Sequence, residues 1–217
     1  MNTLTSFVPG VSETSHLDGQ MTSTMRLVRA DCTVEHLRAI LGLIDDAAAW
    51  LRSKNTDQWA APWPDREQRD ARVIRGLCGG KTWLAWDGDT PAATITIAKQ
   101  ANPAVWPASA YDRSEPAVYV HRLITARAYA GWGLGAQLVD WAGLRGADQY
   151  GARSIRIDVW TSNEALHDYY RKRRFEFAGY CPDPHYPSGA LFQKPVTAIE
   201  ERTTPLPWEP PQDNWLA

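Results

Sequence analysis

The chain has 217 residues, enough for one well-packed domain and short for two. Hydrophobic residues make up 44%, charged residues 22%, and the formal net charge is −2, so no basic excess is present to bind nucleic acid or an anionic membrane. No apolar run reaches the length of a membrane span, and the first 20 residues lack the basic-then-apolar order of a secretory leader.

Residues 1–20 are polar and Ser/Thr-rich, with little apolar surface to offset the entropy of ordering, and are expected to form a flexible leader. A short strand is expected over 25–30. Thr33 then suits the N-cap of an amphipathic helix, because Val34, Leu37, Ile40, Leu41, Ile44, Ala48 and Leu51 recur at helical spacing. Residues 53–67 form a polar and aromatic connection, and a second helix is expected over 68–77, ended by Gly79-Gly80. Strands over 82–86 and 92–98 flank Asp87-Gly88-Asp89, a hairpin signal; in the second, Ala93, Ile95 and Ile97 alternate with Thr94 and Thr96. After a Pro-containing loop over 99–115, a strand over 118–125 runs through a glycine-rich turn into a helix over 133–149. A strand over 154–160, a helix over 164–173 and strands over 175–180 and 190–193 complete the pattern. From Val196 the composition shifts to Pro, Glu, Thr and Trp, and the prolines exclude a regular helix or an inner strand. This order predicts an α/β fold, a mixed sheet with helices on both faces, in one domain over 21–195 between the leader and a tail over 196–217. The tail is read as draping over the domain or a neighbouring subunit through Trp208 and Trp215, which is compatible with a homodimer.

Cys32, Cys78 and Cys181 are odd in number and far apart, with no metal-ligand spacing. They read as free thiols of a reducing cytoplasm, with no metal site.

The turn Ala130-Gly131-Trp132-Gly133-Leu134-Gly135 lies between a strand and a helix. Alternating glycines let a backbone approach a ligand closely, and the helix start adds N–H groups and the positive end of a dipole, so a phosphate or pyrophosphate is the natural guest. A tight turn that needs glycine only for its conformation fits the same letters. A Rossmann fingerprint does not fit, since the pattern is Gly-x-Gly-x-Gly. A Walker A loop fails because Arg75 stands where Gly should precede Gly80-Lys81-Thr82.

This segment resembles the coenzyme A pyrophosphate signature of the Gcn5-related N-acetyltransferase (GNAT) family, Arg/Gln-x-x-Gly-x-Gly/Ala, preceded by the strand end Leu123-Ile124-Thr125. Ala130 replaces the first signature residue, and Arg127 replaces the proline that ends the family's strand. A second family motif follows in register, with Asn163, Leu166, Tyr170 and Phe175; the usual glycine before the last is Arg174, so a different helix cap is expected. The resemblance is strong over 117–194 and extends over 25–98 as an order of elements. It implies a central, mostly antiparallel sheet with one splayed parallel strand pair. It also implies acetyl-coenzyme A, or another short acyl-coenzyme A, as co-substrate and no metal. Coenzyme contacts are then expected at Leu123, Ile124, Thr125, Gly131, Trp132, Gly133, Leu134, Gly135, Ala136 and Asn163.

The resemblance further makes Tyr170 the general acid toward the coenzyme sulfur and His121 the base that takes the amine's proton, with Glu115 and Asp158 in reserve. Each has a plain structural reading beside it: a buried helix aromatic for Tyr170, and a hydrogen-bonded strand histidine for His121. Asp158 could equally hold Arg122 or Arg156. The run Arg171-Lys172-Arg173-Arg174 fits either a ribose phosphate or a solvated helix face. Trp59 and Trp63 lie where the family builds its acceptor pocket, with Asp57 available to attract an ammonium group. The expected activity is acetyl transfer to a primary amine of a small molecule or peptide, by direct attack in a ternary complex because no cysteine lies in the motif segments. Protein N-terminal or lysine acetylation, and a non-catalytic acyl-coenzyme A sensor or scaffold, are the alternatives.

Overall fold

A computed structural model describes residues 25–107 and 114–200; the expected leader over 1–20 and most of the tail over 196–217 lie outside the described residues. The elements in chain order are β1 (Met25–Arg29), α1 (Val34–Ser53), α2 (Arg66–Cys78), β2 (Thr82–Asp87), β3 (Thr90–Ala98), β4 (Ala117–Thr125), α3 (Leu134–Tyr150), β5 (Ser154–Val159), α4 (Glu164–Arg171), β6 (Glu176–Tyr180) and β7 (Ala190–Pro195). They follow the sequence expectation to within a few residues. One difference is the start of α2, where Asp65 caps a helix that begins two residues before the expected position. Its carboxylate accepts from Gln68 N at 2.8 Å and from Gln68 Nε2 at 2.7 Å, a capping pair written in Asp65-x-x-Gln68.

The strands form one sheet in the order β1-β2-β3-β4-β5-β7-β6, with β4 and β5 parallel and every other pair antiparallel. Alternation along the strands sends side chains to two covered faces. On one face Val118, Val120, Ile155 and Ile157 pack with Leu134, Leu138 and Trp141 of α3. Gly146 of α3 comes so near β4 that an added Cβ would stand 2.3 Å from Val118 Cγ2. On the other face Leu84, Trp86 and Ile124 meet Ile40, Leu43, Ile44, Val73 and Leu77 of α1 and α2. Beyond α1 and α2, this second face is closed over β4 and β7 by the loop carrying Val105 and Trp106, packed on Tyr119 and Leu191.

Two irregularities position the site. The β4–β5 ladder runs from Ala117↔Ser154 to Val120↔Ile157 and then stops, although both strands continue. On the other side of β4, Thr94 pairs with Ile124 but Thr96 pairs with His121, so β4 carries an extra residue against β3. At this bulge Arg122 has φ +47°, in the left-handed region that bulky residues rarely occupy. The bulge bends β4 away from β5 and leaves its edge from His121 to Thr125 without a strand partner on that side among the described residues.

The reading of three free thiols is corrected. Cys32 and Cys78 are joined by a disulfide, with Cα atoms 4.5 Å apart, and Cys181 is free and buried. The pair lies 46 residues apart in sequence. It meets because β1 and β2 are neighbours, so the start of α1 and the end of α2 emerge side by side.

Candidate active site

Two hollows open on either side of the point where β4 and β5 part. Leu123 and Tyr170 line both.

The smaller hollow, about 140 Å³, lies between the first turn of α3 and the end of α4, with Gly135, Ala136, Val139 and Lys172 in its wall. The adjoining turn fits an anion. Gly131 and Gly133 have φ of +88° and +74°, and Gly133 is the N-cap of α3 without any side-chain cap, so the first-turn N–H groups are not capped from within the protein. Glycine at 133 is needed for that conformation, and the surroundings leave the turn open, since an added Cβ would meet only Gln137 Nε2 at 3.5 Å. Trp132, on the same turn, is exposed and set edge-on to Tyr129 at 5.2 Å. Lys172, Arg173 and Arg174 line the hollow, whereas Arg171 points to Asp168 at 2.9 Å and Glu164 at 4.0 Å. Three members of the basic run thus line the hollow beside the first turn of α3, Arg174 paired there with Glu200 at 2.7 Å, and one belongs to the solvated helix face. Among the described residues no group of three metal-ligating side chains occurs.

Arg174 did not require a different cap. It adopts φ +63°, the left-handed geometry of the glycine it replaces, while Phe175 N reaches back to Tyr170 O at 3.1 Å. Asn163 is the N-cap of α4: its Oδ1 accepts from Leu166 N at 3.0 Å and its Nδ2 donates to Gln58 Oε1 at 2.6 Å. It lines neither hollow, and its work is to hold α4, and so Tyr170, in place.

The larger hollow is a cleft of about 1100 Å³ between α1, α2, the 53–67 connection and the splayed ends of β4 and β5. Trp59 and Trp63 line it, and Trp63 stands edge-on to Tyr186 at 5.3 Å. Asp57 does not line it. Its carboxylate accepts from Ser162 Oγ at 2.6 Å and Trp160 Nε1 at 3.1 Å, tying the connection to the β5–α4 turn, and the Ser162 hydroxyl holds it below the usual carboxylate range.

His121 and Asp158 are the first residues of β4 and β5 beyond the last paired position, and they meet: His121 Nδ1 lies 3.0 Å from Asp158 Oδ1. Asp158 Oδ2 accepts from the Tyr186 hydroxyl at 2.9 Å. Oδ1 is buried and receives no hydrogen bond of good geometry, which leaves a carboxylate oxygen beside His121 ready for a donor. Neither arginine suggested as a partner of Asp158 forms an ion pair with it among the described residues. Arg156 is held by Glu115 at 2.6 Å and Tyr119 Oη at 2.8 Å, and Arg122 has no carboxylate within 4.0 Å among the described residues. Glu115 is therefore occupied by Arg156 and by Ser154 Oγ at 3.1 Å, outside the cleft lining.

Tyr170 is buried against Phe175, Tyr169 and Phe192, and its hydroxyl has no hydrogen-bond partner among the described residues. Burial pushes its pKa well above the ordinary phenol value, so it stays protonated at any working pH. Sequence reasoning missed Tyr186. Its only local signal was an aromatic among prolines in 182–187, and its partner Asp158 lies 28 residues away.

A parallel strand pair splayed between an uncapped, glycine-led helix start and a polar cleft defines the class of coenzyme A-dependent acyl-transfer proteins. The chain belongs to the acetyltransferase (GNAT) family, whose model matches residues 45–177, and is thus an acetyl-coenzyme A-dependent N-acyltransferase. It is similar, at 30% identity over 168 residues, to an uncharacterized N-acetyltransferase, YesJ, of Bacillus subtilis (strain 168); the match covers 76% of this chain and 87% of that one. Solved structures share the fold. A GNAT-family acetyltransferase from Listeria monocytogenes 4b F2365 aligns with a TM-score of 0.60 at 23% identity, covering 79% of this chain and 94% of that one. PaiA N-acetyltransferase from Thermoplasma acidophilum, solved in complex with coenzyme A, aligns with a TM-score of 0.57 at 14% identity, covering 79% and 98%.

Proposed function

We propose that the chain transfers an acetyl group from acetyl-coenzyme A to a primary amine of a small molecule or peptide, by direct attack in a ternary complex. The observation that carries this reading is the meeting of the two hollows at Leu123 and Tyr170, with His121 and Asp158 on the cleft side.

The residues present suit the coenzyme. Gly131, Trp132, Gly133, Leu134, Gly135 and Ala136 would hold its pyrophosphate through backbone N–H groups at the start of α3. The unpaired edge of β4 at Leu123, Ile124 and Thr125 would take its extended arm as a sheet edge takes a strand. When bound, the coenzyme supplies the acetyl thioester. The chain's own residues then manage protons and charge. Asp158, beside Nδ1 of His121, holds the imidazole, and His121 takes the proton that makes the incoming nitrogen nucleophilic. Tyr170, kept protonated by burial, donates to the departing sulfur. A backbone N–H on the open edge of β4 stabilises negative charge on the carbonyl oxygen. Trp59 and Trp63 wall the acceptor cleft.

The test is thiol release from acetyl-coenzyme A across a panel of primary amines, with wild type and His121→Gln compared from neutral to alkaline pH. The variant should lose about 100-fold in kcat/KM near pH 7 and recover as solution deprotonates the amine. Full activity of the variant at pH 7 would remove His121 from the reaction.

A further inference from the structure

The acceptor cleft is strongly cationic in a chain whose net charge is −2. Seven Lys or Arg residues line it, against three Asp: Asp45, Asp158 and Asp183. Two of those acids are already engaged, Asp45 with Arg69 at 3.0 Å and Asp158 with His121 and Tyr186. Arg72 and Arg75, one helical turn apart on α2, and Arg122, from the β4 bulge, all line the cleft, and none has a carboxylate within 4.0 Å among the described residues.

These three positive charges are held close to one another. Arg122 reaches under α2, where its Nη1 would stand 3.5 Å from a Cβ added at Gly76, the residue after Arg75. Burial, and then the neighbouring charge of Arg72, hold the Arg122 guanidinium below its ordinary pKa. Arg72 is braced by donating to the Trp63 carbonyl, with its guanidinium carbon 5.4 Å from the centre of the Trp63 ring. Asp65 and Asp158 act on Arg72 and Arg122 only from beyond ion-pair distance, so the three clustered guanidinium groups, Arg122 and Arg72 in part desolvated, still repel one another, an arrangement that an anion relieves. The coenzyme's phosphates do not account for them. The first turn of α3 and Lys172, Arg173 and Arg174 line the other hollow, on the far side of Leu123 and Tyr170.

Building on the transferase reading, we propose that the acceptor amine carries an anionic group, a carboxylate or a phosphate monoester, which Arg72, Arg75 and Arg122 bind while its amine sits at Asp158 and His121. The substrate is then bipolar, with its cationic end at the splayed strands and its anionic end under α2. Guanidinium forks suit both anions, since each offers paired oxygens to paired N–H donors.

The experiment is calorimetric titration of the protein, saturated with coenzyme A, with three matched series of probes: ω-amino carboxylates, aminoalkyl phosphates, and uncharged alkylamines of the same lengths. The best acidic amine should bind at least about tenfold more tightly than its uncharged counterpart, the scale of charge-assisted hydrogen bonds. The tighter acidic series identifies the anion as carboxylate or phosphate. Arg75→Met, on an exposed helix position, and Arg122→Met should each erase that preference while coenzyme A binding and melting temperature are kept. Uncharged amines binding as well as the acidic ones to a protein that binds coenzyme A would overturn this inference and leave the transferase reading standing. Failure of coenzyme A itself to bind would overturn both.

Discussion

Replacing Tyr170 with Phe removes one oxygen and keeps the ring. That ring is held by aromatic neighbours, Phe175 at 5.3 Å, Tyr169 at 5.2 Å and Phe192 at 6.4 Å between centroids, and all three contacts survive the change. The hydroxyl has no hydrogen-bond partner among the described residues, so its loss leaves no buried group unsatisfied, and the stability change should stay within about 0.5 kcal/mol. The kinetic cost is of another size. A positioned general acid contributes on the order of 100-fold or more, equivalent to about 2.7 kcal/mol of barrier. Catalysis should therefore fall while the fold does not. The assay is thiol release at saturating acetyl-coenzyme A with the best amine found, run beside a melting curve. A kcat about 100-fold lower at an unchanged melting temperature is expected. A kcat within twofold of wild type would refute the assignment and return Tyr170 to the status of a core aromatic.

Arg174→Gly should stabilise the protein. Relief of left-handed backbone is worth about 1–2 kcal/mol, offset in part by the greater freedom of glycine in the unfolded chain, while the exposed Arg174–Glu200 pair contributes little. A rise of about 2 °C in melting temperature is expected, and a fall would contradict the cap geometry. Stability should also decline above about pH 10. Burial raises the phenol pKa values of Tyr150, Tyr170 and Tyr186 in the folded state, so above pH 10 the unfolded chain has lost protons that the folded chain retains, and the balance shifts toward unfolding. Below that pH their contribution is complete. Denaturant midpoints between pH 9 and 11 measure this, and a flat profile would show these phenols to be hydrated.

The elements, the mixed sheet and the glycine-led start of α3 were legible because each rests on local pattern: helical spacing in α1, alternation in β3, and glycines between a strand and a helix. The features that make the site chemical are not local. The bulge at Arg122 exists only in the register of β4 against β3, and no residue type announces it. Asp158 was weighed as a partner for nearby arginines, whereas its partners, His121 and Tyr186, come from β4 and the 182–187 segment. Asp57 reads as available because the groups that donate to it, Ser162 and Trp160, lie more than a hundred residues away. Arg72 and Arg75 are two polar positions of a helix expected over 68–77, with nothing local to give them a role. Only the placement of α2 over the splayed strands makes them part of a cleft wall. The disulfide was hidden for the same reason, since β1 and β2 become neighbours only in the sheet.

If the turn at Gly131–Gly135 and the parted strands form an acyl-coenzyme A site, calorimetric titration with acetyl-coenzyme A will detect it. Wild type should bind in the micromolar range. Gly133→Glu, which places a side chain and a negative charge in the anion cradle, should abolish binding with the fold intact by melting curve. No binding of acetyl-coenzyme A or longer acyl derivatives to wild type would contradict the account.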